Sequence, residues 1–172
     1  MTDFLIADAA IRQLHARYTD AVWRKDYDSF GDCFSEDCEW RISGLVLRGR
    51  REIVETFSSL MVKFNRVLIT IRPPILEVGD GIASGRTYLT EQSVLADGTP
   101  LAAIGTYYER FVDQGDRWRF SWRLFQTQYA GPADFTGRLH SNPEFGPPPG
   151  MPPLDATAAN HSGHFDQKGQ NK

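Results

Sequence analysis

The chain is short of cysteine, of excess basic charge and of long apolar runs, and each shortage removes a class of protein. Only Cys33 and Cys38 occur among 172 residues. That is too few for a disulfide framework, and no His or Cys lies nearby to complete a zinc site. The expectation is two free thiols, buried or half-buried, in a reducing cytoplasm. Nineteen Lys plus Arg against twenty-two Asp plus Glu leave a net charge of −3, so neither nucleic acid nor an anionic membrane surface is an expected partner. Apolar stretches run for only a few residues, short of the ~20 needed to span a bilayer. The N-terminus carries acids early and lacks the charged-then-apolar pattern of a secretory signal. Histidine is scarce as well, with none between His15 and His140. No GxGxxG, Walker loop, GxSxG, HExxH or CxxC is present, which sets aside nucleotide, serine-esterase and metalloprotease chemistry. No cofactor and no metal are therefore expected, and His161 and His164 lack a third ligand.

Aromatic surface is plentiful: four Trp, six Tyr and eleven Phe make up 12% of the chain. Ile11, Leu14, Tyr18 and Val22 recur at spacings of three and four and predict a first helix. Asp26 caps a short second helix with Tyr27, Phe30 and Phe34 inward. A strand is expected around Glu39 to Ile42, then a third helix with Ile53, Phe57, Leu60 and Met61 on its apolar stripe. From Arg66 the period becomes two. Turns at 79–81, 97–98 and 113–116 mark three successive hairpins, hence an antiparallel meander. The Pro73–Pro74 pair is expected at an edge, a bulge or a strand break. The fold class is thus α+β, with helices on one face of a curved antiparallel sheet. At Gly131 the character changes: seven of ten prolines lie between Pro132 and Pro153. The expected organisation is one domain over 1–131, an extended arm over 132–154 and a mobile remainder to 172.

The segments IRQLHARYTDAVWRKDYDSFGDCFSEDCEW, GRREIVETF and GTYYERFVDQGDRWRFSWRLF resemble the nuclear transport factor 2-like superfamily, and within it the SnoaL-like branch of polyketide cyclases. The resemblance covers about residues 5 to 130. It implies a cone of three helices on a strongly bent antiparallel sheet with a pocket at the wide end, and association as a homodimer or homotrimer. In dehydratase members of the family a His–Asp pair moves the proton. The resemblance puts Trp23 at the Asp position and only Val67 to Ile71 near the His position, so that pair is missing. In isomerase members a helix Tyr donates to a developing enolate. That position falls on Tyr18, with the second oxyanion donor near Tyr107 and the usual base near Ile42.

Glu109 lies two residues after Tyr107 and shares its face of the strand. Inside an aromatic cone its pKa would rise and suit it as a base. The alternative is a solvated residue or an ion pair with Arg72, Arg86 or Arg123. Glu91 and Glu39 are further strand carboxylates. Tyr18, Tyr107 and Glu109 are therefore the candidate catalytic residues. Trp23, Trp40 and Trp122 are expected as pocket wall, Tyr88 as a ligand contact, and Arg72 either as partner to an anionic substituent or as a surface residue. Trp118 reads as structural, and His15 as a solvated or half-buried helix residue.

Two functions fit. One is a cofactor-free lyase, isomerase or cyclase acting on a hydrophobic ring compound. The other is a non-catalytic small-molecule-binding or scaffold protein of the same fold, as in an oxygenase small subunit.

Overall fold

In the computed structural model of the chain, the described residues are 3–139 and 150–152. His140, His161, His164 and most of the expected arm and tail lie outside them. Helix α1, Phe4–Arg24, begins where the Asp3 side chain accepts from the Leu5 N–H and ends with Lys25 in the left-handed region at φ 54°. It buries Ile11, Leu14, Tyr18 and Val22, the stripe its periodicity predicts. Helix α2, Tyr27–Gly31, is capped by Asp26 through the Ser29 N–H. Among the described residues, no helix is long and apolar enough to cross a membrane.

Strand β1, Phe34–Ile42, turns through Ser43 and Gly44 into β2, Leu45–Arg48. Both turn residues have positive φ, 51° and 79°, the conformation a two-residue hairpin loop demands. Helix α3, Arg50–Met61, follows. The second helix ends at Gly31, three residues before Phe34, which opens a strand rather than closing the helix. The remaining strands are β3, Phe64–Ile71; β4, Ile75–Val78; β5, Ile82–Leu95; β6, Pro100–Asp113; and β7, Trp118–Pro132. Strands β3 and β4 both pair with β5, and the proline pair falls in the gap between them. Proline lacks the N–H that a continuous ladder would need there.

Seven strands form one curved sheet in the order β2-β1-β7-β6-β5-β3, with β4 on β5. The three expected hairpins are present. The sheet is mixed, however, because β1 runs parallel to β7. An all-antiparallel sheet was the expectation. Hairpin turns set only neighbouring strands, whereas β1 meets the last strand through tertiary closure. The helices cover the concave face, where α1 packs on β3 and β7 and α3 on β1 and β2.

Candidate functional site

The pleat decides which side chains enter the concave side. On β6, Tyr107, Glu109 and Phe111 are inward; on β5, Thr87 stands opposite Tyr107, and Leu89, Glu91 and Ser93 follow in phase. On β7 the alternation is broken. Phe111 pairs with Phe120 and Arg110 with Trp122, so Ser121 is an extra residue. This bulge turns Trp122 outward and brings Arg123 inside.

A cavity of about 320 Å³ opens between α1, α3 and the sheet, within the size range of small-molecule sites. Val22, Phe57, Met61, Ile69 and Phe125 are part of an apolar lining. Its polar groups include Tyr18, Tyr107, Glu91 and Ser93. The Tyr18 and Tyr107 hydroxyls lie 3.2 Å apart. One must donate to the other, which leaves one O–H free for a ligand oxygen. Burial pushes both phenols up, and for Tyr107 the neighbouring phenol adds to the effect. Both therefore stay protonated as donors. Burial also pushes the Glu91 carboxyl above its usual range, against a hydrogen bond from Ser93.

Behind the phenol pair is a charged layer in which Glu109 and Arg123 are fully buried. Glu109 accepts from Arg123 Nε at 2.8 Å and Thr87 Oγ1 at 2.7 Å, and pairs with His15 Nε2 at 2.9 Å. The Arg123 guanidinium stacks 3.7 Å from the Tyr107 ring centre, 4.1 Å from Phe120 and 4.2 Å from Tyr18. Burial alone would raise the Glu109 carboxyl, but His15, Arg123 and Thr87 outweigh it and hold it at about 2. A raised proton affinity was the expectation, and His15 together with Arg123 reverses it. His15 is 4% exposed, not solvated: four residues after Ile11, it falls on the buried stripe.

The other candidates scatter. Trp40 lines the cavity. Trp23 is 45% exposed, with Arg66 5.7 Å over its ring, so it forms no wall. Trp122 lies on the outer face between Arg41 and Arg110, with Nε1 donating to Glu39. Tyr88 is likewise outside the cavity, 6.0 Å from Arg86. Arg72 lines a separate cleft beside His15. Trp118 is buried in the core. Glu91 gave a readable signal, since pairing β5 with β6 from their turn puts it in phase with Tyr107. Cys33 and Cys38 are free and buried, and desolvation raises their thiols to about 11 and about 12. Among the described residues no three His, Cys, Asp or Glu side chains gather where they could hold a metal.

A helix-covered curved sheet around an apolar cavity, with a few polar groups in its lining, is a cone of the α+β class. Residues 3–123 match the SnoaL-like domain. The chain belongs to the SnoaL-like domain family. No curated protein matches the chain significantly in sequence. Among solved structures it is similar to a function-unknown protein from Mycobacterium tuberculosis, at 25% identity over 95% of this chain and 88% of that one, TM-score 0.66. It is similar also to a scytalone dehydratase-like protein from Novosphingobium aromaticivorans (18% identity, 84% and 97% covered, TM-score 0.71). A third is a hexachlorocyclohexane dehydrochlorinase from Novosphingobium barchaimii (17%, 81% and 97%, TM-score 0.65).

Proposed function

We propose that the chain binds a hydrophobic ring compound in the cone and carries out cofactor-free proton transfer on it, as a lyase, isomerase or cyclase. The observation that carries this reading is Glu91, a carboxylate lining an apolar cavity that also holds the Tyr18–Tyr107 donor pair. Glu109, held at about 2 and enclosed by three partners, is a poor proton acceptor. It serves instead to fix Arg123 beneath the two rings. Glu91 takes the base role, because desolvation raises its affinity for a proton.

In this mechanism the ligand carbonyl accepts from the free phenol O–H. Glu91 removes a proton from the carbon next to that carbonyl, and the C–H electron pair moves into the ring system to leave an enolate. The phenol hydrogen bond stabilises the oxygen as its charge grows. Protonated Glu91 then returns its proton to another carbon, or the enolate expels a leaving group. Two of the structural relatives carry the names of eliminations, a dehydratase and a dehydrochlorinase, a reaction class in which a proton leaves carbon and a leaving group departs.

Deuterium exchange tests the step without knowledge of the natural substrate. Bicyclic aryl ketones incubated with the protein in D₂O should gain deuterium beside the carbonyl. The rate should rise with pH as Glu91 loses its proton. Glu91→Gln should abolish the exchange while ligand still quenches Trp40 fluorescence. Binding without any exchange in the unmodified protein would favour the second reading, a non-catalytic carrier, for which the burial of Glu109 and His15 away from the cavity speaks.

A further inference from the structure

A second concavity of about 320 Å³ lies outside the cone, lined by Arg12, His15, Ala16 and Thr19 of α1 and by Ile71, Arg72, Pro73 and Pro74. It shares no lining residue with the first cavity. Two guanidiniums and an imidazole face it, and no carboxylate lines it. Arg12 is held by Asp8 at 2.7 Å. Arg72 has no carboxylate partner among the described residues, while its backbone is fixed by the bond from its N–H to the Tyr88 carbonyl and by the two prolines that follow. The Thr19 hydroxyl proton is spent on the Ala16 carbonyl, so the donors available are the arginines and the histidine.

His15 supplies a second, independent observation. It is 4% exposed, its Nε2 is taken by Glu109, and its Nδ1 has no hydrogen-bond partner. With Glu109 ionised, the Nε2 position carries the proton. The neutral imidazole then leaves a bare lone pair at Nδ1, and the protonated ring leaves an unused donor. A buried polar atom without a partner is costly unless something else satisfies it. We propose that this cleft is a binding site for a small oxyanion, a carboxylate or phosphate group, gripped by Arg72 and Arg12 beside the unpartnered Nδ1 of the His15 ring. Around His15 are Glu109 at Nε2 and the rings of Phe111 and Phe120, while Arg12 and Arg72 share its cleft. A planar, forked guanidinium held on a rigid proline break suits a two-oxygen anion.

The test is NMR titration of the full chain, ¹⁵N-labelled, with sodium acetate and separately with inorganic phosphate. Saturable shifts at the Arg72 side chain and the His15 ring are expected. Arg72→Gln, at an exposed position that leaves the fold intact, should weaken the anion about tenfold and leave ketone binding in the cone untouched. Arg12→Gln should weaken it less, because Asp8 already claims part of that charge. A stronger response to phosphate than to acetate would identify a phosphate-bearing ligand, and the reverse a carboxylate. Linear, non-saturating shifts, or an Arg72→Gln variant that binds as well as the parent, would overturn the proposal. Because ketone exchange is read in the other cavity, either reading can fail without the other.

Discussion

Glu109 carries its charge in a place where no water reaches it, and that has a consequence for acid stability. Its carboxyl falls from an ordinary 4.5 to about 2, with burial opposing the shift and His15, Arg123 and Thr87 driving it. The folded chain thus holds this proton less tightly than the unfolded one. The stabilisation is complete above the unfolded value and drains away as pH falls towards about 2. The span corresponds to roughly 3 kcal/mol. Urea midpoints measured from neutral to acid pH should fall across that window, and Glu109→Gln should flatten the fall. The same variant should lose about 3–5 kcal/mol at neutral pH, since it leaves Arg123 buried and uncompensated. Glu91 behaves in the opposite sense. Desolvation raises its carboxyl, so the folded state binds that proton more tightly, and stability declines as pH rises through the raised value. Glu91→Gln should therefore be more stable than the parent at neutral pH while losing exchange activity, the trade-off expected where a desolvated group does chemistry. An unchanged or lower midpoint would contradict the desolvated state assigned to Glu91.

At the scale of elements, β7 explains what could be read in advance and what could not. Its hairpin with β6 and the inward direction of Tyr107 and Glu109 follow from turn residues and a period of two. Plain alternation from Trp118 and Phe120 would also send Trp122 inward and Arg123 outward. The extra residue at Ser121 exchanges them, and nothing local marks it, because bulges are settled by packing across the sheet. The partner of Glu109 was legible as one of three arginines, but His15 was not, since its approach depends on how α1 lies on the sheet. Strand β2 escaped notice for a related reason: four residues with a mostly exposed pattern carry almost no periodic signal. A second register shift falls between Ile104 and Gly105, where an added Cβ would run into the Phe125 ring. Phe125 lines the cavity and packs 5.1 Å from Tyr107. Gly105→Ala should cost about 1–3 kcal/mol by overpacking. It should also weaken ketone binding, because the ring has the cavity as its open side. Fluorescence titration and urea denaturation read the two effects separately, and full retention of both would show that Phe125 moves elsewhere.

For the whole molecule, the outer face of the sheet bears on assembly. Thr106 and Tyr108 alternate away from Tyr107 and suit a partner sheet, yet both are already buried within the single chain. The Pro152 carbonyl accepts from Arg86 Nη1 at 3.3 Å, and Met151 is buried, so the segment 150–152 returns to this side. The chain after β7 is tied down as well. Tyr129 pairs with Leu139, and its hydroxyl donates to the Pro132 carbonyl and accepts from the Gly137 N–H. The residues beyond Gly131 thus complete the cover of a fully buried tyrosine. We propose a homodimer or homotrimer in which these residues shape the contact surface. Truncation after Gly131 would strip Tyr129 of its hydroxyl partners and bare apolar area on the convex side. Each large side chain returned to water forfeits about 1.5–3 kcal/mol. The truncated chain should melt several degrees lower and show a different mass by light scattering, whereas truncation after Leu139 should preserve the Tyr129 bonds and recover most of the melting temperature. Should the shorter form keep both its mass and its melting point, the segment would be a passenger and the assembly surface would lie on the strands alone.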